Sequence, residues 1–284
     1  MEKIAIVGDS AANFRKGTVD EFGIYVLPYR IIYEDREYRD GIDIDENYVY
    51  DHLDEEIPTT SFPSLNDIHD LYDRLVSEGF THVIAVTLSS GLSGMHQAMS
   101  MVSEEYSDKI NSFIFDSKSI SIGEGILMEE IGKMVKEGLK FENIVEKLAS
   151  IKDRIRIFFV FGTLEYIIKG GRIGKVAGTV GEILNIKPIV SIDEDGKYFT
   201  YEKVRGRKKS LKRFIDIGKE MLDENRKVFV MEGRAHEEAM KVHDALKEYG
   251  QKINKGYVEF IGNLSTVQVV HTGPGFLGIG TIKE

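Results

Sequence analysis

The run Leu88-Ser89-Ser90-Gly91-Leu92-Ser93-Gly94 gathers hydroxyls and small residues into one segment, and two chemistries suit it. A serine there could attack an electrophile, or it could hold an anion together with nearby backbone N–H groups. Attack needs a base within reach and a carboxylate to orient that base. The chain offers His271 with Asp9 or Asp116, and Ser10 as a second candidate nucleophile. However, Gly91-Leu92-Ser93-Gly94-Met95 is not the Gly-x-Ser-x-Gly elbow of the α/β-hydrolases. Holding an anion asks only for a strand that hands over to a helix start, where free N–H groups and the positive end of the helix dipole face outward.

Three other segments carry candidate groups. Pro58-Thr59-Thr60-Ser61-Phe62-Pro63-Ser64 reads as a constrained loop, and turn chemistry with an N-cap at Ser64 accounts for it without any ligand. In Thr163 to Ile173 a short helix carrying Leu164, Ile167 and Ile168 stops at Gly170-Gly171, directly before Arg172. A solvated arginine and a guanidinium presented to an anion both fit that spacing. Val270-His271-Thr272-Gly273-Pro274-Gly275 places a histidine at the expected end of a strand, where it could serve a site or bond to nearby backbone. His69, His236 and His243 fall on charge-rich helical patterns and read as surface residues. The basic run from Lys203 to Arg213 reads as a solvated helix start or as a docking surface for an acidic partner or phosphate.

The elements that must position these groups alternate in the first half. Strands are expected at Ile4 to Val7, Ile24 to Tyr33 (with Pro28 marking an edge or bend), His82 to Thr87 and Ser112 to Phe115. Helices are expected at Asn66 to Ser77 and Ser93 to Glu105, with one or two more over Ser121 to Ser150. Such alternation indicates a mostly parallel α/β layer. The second half reads as a strand at Ile155 to Phe161, short helices at Thr163 to Lys169 and Lys175 to Leu184, and a hairpin turning at Asp193-Glu194-Asp195-Gly196. Helices at Lys208 to Glu224 and Glu237 to Tyr249 follow, with strands at Val228 to Met231, Tyr257 to Ile261, Val267 to Val270 and Ile279 to Ile282. A boundary near residue 153 gives domains 1–153 and 154–284.

Composition narrows the function classes. The 284 residues are 42% hydrophobic and 30% charged, with a formal net charge of −10, which argues against a general nucleic-acid binder. With no cysteine, thiolate metal sites and a cysteine nucleophile are impossible. No metal site or cofactor is expected. The N-terminus lacks a signal-peptide pattern and no apolar run approaches about 20 residues, so a cytoplasmic protein is the expectation.

Asp9-Ser10, Thr60 to Ser64, Ser89 to Gly94, Asp116-Ser117, Gly170 to Ile173, Lys187-Pro188-Ile189 and His271 to Gly275 together resemble the DegV family of bacterial fatty-acid-binding proteins, in matching order across the chain. The resemblance implies a two-domain α/β protein: an N-terminal, mostly parallel three-layer sheet, a C-terminal α/β domain, and a lipid channel between them. It implies one long-chain fatty acid, bound for a separate ATP-dependent fatty acid kinase subunit that converts it to an acyl phosphate for phospholipid synthesis. The carboxylate would lie at Thr60, Ser93, the Gly94 helix start and His271. Arg172 and Arg205 would contact the partner or the phosphate. Phe62 stands where the family often has glutamine and Met95 where threonine is frequent, and either could alter the channel wall. On this reading the protein is a carrier rather than an enzyme. A Ser93/His271 hydrolase is the alternative. A nucleic-acid-binding regulator using the basic run is a weaker one, since no recognised nucleic-acid motif is present.

Overall fold

Strands apolar on both faces need cover on both faces, and the first half supplies it in three layers. The computed structural model describes residues 2–179 and 186–284. Strands β1 (Ile4–Asp9), β2 (Tyr25–Leu27), β6 (His82–Thr87) and β7 (Asn111–Asp116) form an all-parallel sheet in the order β2-β1-β6-β7. Ala5, Val7, Val83 and Ala85 pack on α3 (Leu65–Ser77) and α4 (Met95–Glu105), through Tyr72, Met95 and Met99. Ile6, Ile84 and Val86 face the other way, onto α5 (Ile122–Lys136), which α1 (Thr18–Phe22) and α6 (Phe141–Asp153) flank. The alternation follows from the two-residue period of a strand.

Pro28 does bend the chain. The expected strand Ile24 to Tyr33 splits into β2, at the sheet edge, and β3 (Arg30–Ile32). The latter sits between β4 (Glu37–Arg39) and β5 (Thr59–Ser61) in a small antiparallel sheet, ahead of and behind α2 (Glu46–His52) in sequence. Thr60 is therefore held by strand pairing opposite Ile31 rather than by a loop. Ser64 caps α3 as expected, its Oγ accepting from the Asp67 N–H at 3.2 Å while the Asp67 carboxylate accepts from the Ser64 N–H at 2.8 Å. This capping box contributes about 1 kcal/mol.

The second half builds a mixed sheet in the order β10-β9-β8-β13-β11-β12, from β8 (Ile155–Val160), β9 (Ile189–Ile192), β10 (Tyr198–Glu202), β11 (Arg226–Gly233), β12 (Val258–Asn263) and β13 (Phe276–Lys283). Among these only the β11–β12 pair is parallel. Helices α8 (Arg207–Asp223) and α9 (His236–Lys252) cover one face through Phe214, Ile217, Val242 and Leu246. The other face turns Ile157 and Phe159 towards α5. That helix contacts both sheets and is buried almost continuously from Ile122 to Gly132. Gly125 permits the fit, since a Cβ there would lie 1.9 Å from the Asn13 carbonyl oxygen.

Two further segments differ from their expected form. Val267 to Val270 is not a strand but part of helix α10 (Thr266–Thr272), so His271 lies in a helix's last turn. Val267, Gln268, Val269 and Val270 are all buried. Burial on every side removes the polar alternation that separates the two periods, and tertiary packing overrides the β-propensity of valine. The expected Lys175 to Leu184 helix begins as a 3-10 turn, Gly174–Thr179, after α7 (Glu165–Lys169), and its later residues lie outside the described ones. Among the described residues no helix is long and apolar enough to cross a membrane.

Candidate functional site

Between the two sheets lies a cavity of about 210 Å³. Its apolar wall comes from Leu88 and Leu92, from Ile120 before α5, from Phe159 and Phe276 of the mixed sheet, and from Val267 of α10. Thr60, Ser93, Gly94, Arg172 and His271 all line it. They arrive from strand β5, the β6–α4 loop, the turn after α7 and the end of α10, so four separated segments converge. Arg205 is not brought there. It is exposed and forms a lone bridge with Ile186. The apolar face of α4 does not reach the cavity either. Met95 is 1% exposed and packs in the core, whereas Phe62 does line the cavity.

The polar end is neutral apart from one cation. Among the described lining residues Arg172 is the single permanent charge, and no carboxylate is present. Thr60 Oγ1 lies 2.8 Å from His271 Nε2. The imidazole is largely withdrawn from water, and that desolvation, followed by the nearby Arg172 charge, pushes its pKa down to about 4. At neutral pH it is uncharged. Its Nδ1 is buried without a hydrogen-bond partner and faces Gly170, where a Cβ would lie 2.2 Å away. The carbonyl of Gly170 accepts from Arg172 Nη1 at 2.5 Å. The glycine that ends α7 thus fixes the guanidinium and leaves room for the ring. Tyr29, absent from the sequence-based candidates, also lines the cavity, and its hydroxyl donates to Ser93 Oγ at 2.8 Å. Gln268 lines it as well and donates to the Ala11 carbonyl.

The residues of a hydrolase triad are not assembled. His271 Nε2 meets Thr60 and its Nδ1 meets no carboxylate. Ser10 Oγ donates to Asp40 at 2.6 Å, and Asp116 pairs with Lys118. Asp9 accepts from the N–H groups of Ala11 and Leu88. Ser89 is taken up structurally, donating to the Gly196 carbonyl at 2.8 Å and tying the serine loop to the β9–β10 turn. Part of the basic run is likewise consumed. Arg207 pairs with Glu238 and also donates to the Gly275 carbonyl, while Arg213 pairs with Glu202 and Glu220.

Behind the polar end sits a second polar cluster. Asp9, Asp40 and Glu124 are all at most 4% exposed. Burial raises Asp9 to about 7 and Asp40 to about 6, and it pushes Glu124 well above the carboxylate range, with the Asp9 charge adding to the effect. Among the described residues no three metal-ligating side chains come together.

A mostly apolar cavity between two sheets, ending in hydroxyls and one guanidinium, is the feature this α/β fold builds. The chain belongs to the DegV family: the model described as "Uncharacterised protein, DegV family" matches residues 3–284. A DegV domain-containing protein of Clostridium acetobutylicum is 47% identical, with 100% of both chains covered. The solved fatty acid binding DegV family protein of Streptococcus agalactiae is 31% identical, with a TM-score of 0.90 and 100% of both chains covered. A stearic acid-binding protein of Eubacterium ventriosum is 30% identical, with a TM-score of 0.86, covering 99% of this chain and 98% of its own.

Proposed function

We propose that this protein holds one long-chain fatty acid in the cavity between its sheets and presents the carboxylate to a separate ATP-dependent kinase subunit in the cytoplasm. Residues 1–153 and 154–284 are then its two domains, and it is a carrier rather than an enzyme. The observation that carries the reading is the convergence of Thr60, Ser93, Arg172 and His271 at one end of an otherwise apolar cavity. The fatty-acid ligands of the S. agalactiae and E. ventriosum proteins support it. A sixteen-carbon acid has about fourteen methylenes, whose burial is worth on the order of 11 kcal/mol gross at about 0.8 kcal/mol each. That term covers association and ordering costs, so the tail supplies affinity and the polar end supplies orientation.

The buried carboxylate needs donors. Hydroxyls of Thr60 and Ser93 and backbone N–H groups at the Gly94 helix start provide them, with Arg172 as the counter-charge. His271, neutral and protonated on Nε2, donates to Thr60 Oγ1 and leaves the threonine proton for the ligand. Only one full charge faces the ligand, which leaves its oxygen nucleophilic enough to accept a phosphoryl group. Arg205, outside the cavity, suits contact with the partner subunit. Mass spectrometry of lipid released from natively purified protein tests the binding half. A long-chain acid near one per chain is expected, and a protein that neither carries nor takes up palmitate would contradict it. Incubation with a DegV-partner kinase and ATP tests the second half, with acyl phosphate as the expected product.

A further inference from the structure

Ser93 Oγ receives two donors from the protein itself: the Tyr29 hydroxyl at 2.8 Å and the Met95 N–H at 3.2 Å. A serine hydroxyl offers two acceptor lone pairs and one donor proton. With both lone pairs engaged, its only remaining capacity is to donate. The Met95 N–H alone would leave one lone pair free, and Ser93 could then turn its proton to the phenol or accept from a ligand. We infer that Tyr29 is a positioning residue that locks Ser93 as a hydrogen-bond donor facing the cavity, so that the site selects an acceptor headgroup, a carboxylate, over a headgroup that must donate.

Tyr29 is suited to this. It is 3% exposed and follows Pro28, whose bend between β2 and β3 carries the ring to the cavity. Its backbone N–H donates to Ser10 Oγ at 3.0 Å, and Ser10 donates on to Asp40. The ring is therefore anchored at its own backbone. Its hydroxyl donates to Ser93 Oγ, and a buried phenol left without an acceptor would be costly. The chain of donation runs in one direction, from Tyr29 through Ser93 into the cavity.

The inference rests on the carboxylate lying at Ser93, and the test separates the two. Binding of palmitate and of 1-hexadecanol is compared for the parent protein, Tyr29→Phe, Ser93→Ala and the double variant. Tyr29→Phe should weaken palmitate binding about tenfold, as expected for losing the orientation of one bond to a charged group. It should leave hexadecanol binding within about twofold, because an alcohol can donate to the freed Ser93 lone pair. In the Ser93→Ala background the same change should have no further effect on palmitate, since positioning acts only through the serine. A loss of hexadecanol and palmitate alike in Tyr29→Phe, or an equal loss with and without Ser93, would overturn the lock in favour of a packing role. Unchanged palmitate binding in Ser93→Ala would instead overturn the placement of the carboxylate, whatever Tyr29 does.

Discussion

The cavity end formed by Thr60, Ser93, Arg172 and His271 and the cluster of Asp9, Asp40 and Glu124 are neighbouring polar regions in the same interior, bridged by Tyr29. The first carries donors: the Ser93 hydroxyl, a guanidinium, and the Thr60 hydroxyl, whose proton stays available when His271, neutral, carries its own on Nε2. The second carries acceptors. Asp9 and Asp40 take hydrogen bonds from Ala11, Leu88 and Ser10, and burial holds all three acids towards their protonated forms. An anion entering the interior is therefore received at one region and repelled at the other whenever the acids ionise. Burial alone does not mark a binding site; unspent hydrogen-bonding capacity of the right sign facing empty space does.

The sharpest way to break this contrast is to remove the donors. Thr60→Ala with Ser93→Ala should weaken palmitate binding by about 100-fold or more, since each bond to a carboxylate contributes about 1.5–3 kcal/mol. A displacement titration reads this directly, and circular dichroism should show the fold intact.

The two regions should also answer pH with opposite sign. His271 has a folded pKa near 4, below its usual 6.5, so the unfolded chain takes up the proton first. Its contribution is fully present above about pH 6.5 and is lost as pH falls towards 4, by up to about 3 kcal/mol. Asp9 has a folded pKa raised to about 7. Its contribution is fully present below about pH 4 and is lost as pH rises through 7. Melting temperatures across pH 4 to 8 should show His271→Asn less sensitive than the parent on the acid side. Asp9→Asn should be less sensitive towards pH 8. Parallel profiles for parent and variants would remove the contrast.

Gly170→Ala offers a smaller effect. Its Cβ would lie 2.2 Å from His271 Nδ1, so the ring must shift and its 2.8 Å contact with Thr60 is disturbed, at a cost of about 1–3 kcal/mol. Calorimetric stability and palmitate affinity should both fall. Arg205→Ala should have the smallest consequence for the ligand. Arg205 is exposed and outside the cavity, so palmitate affinity should stay within about 0.5 kcal/mol of the parent, whereas Arg172→Ala should lower it.

The strand–helix alternation of the first half is legible because β6 and α4 show clean local periods, with Met95, Ala98, Met99 and Val102 on one face. The candidate residues Thr60, Ser93, Arg172 and His271 came through their turn and cap surroundings together with the family resemblance. Other features depend on contacts between distant residues. Thr59–Ser61 becomes a strand only by pairing with β3, and three residues carry no periodic signal. The valines of α10 read as a strand because total burial erases amphipathicity. Tyr29 enters the site through a bend at Pro28 and a bond to a residue 64 positions away, which no local pattern encodes. Helix α5, the element shared by both sheets, is legible as a helix, but its central place is not.

The central claim is that the carboxylate of a long-chain acid lies at the donor-rich end of the cavity. A crystal structure of the protein with palmitate tests it most directly. Carboxylate oxygens are expected within hydrogen-bond distance of Thr60 Oγ1 and Ser93 Oγ, with the methylenes running between Leu92, Phe159 and Phe276. A palmitate bound with its methyl end at Ser93, or bound outside this cavity, would contradict it.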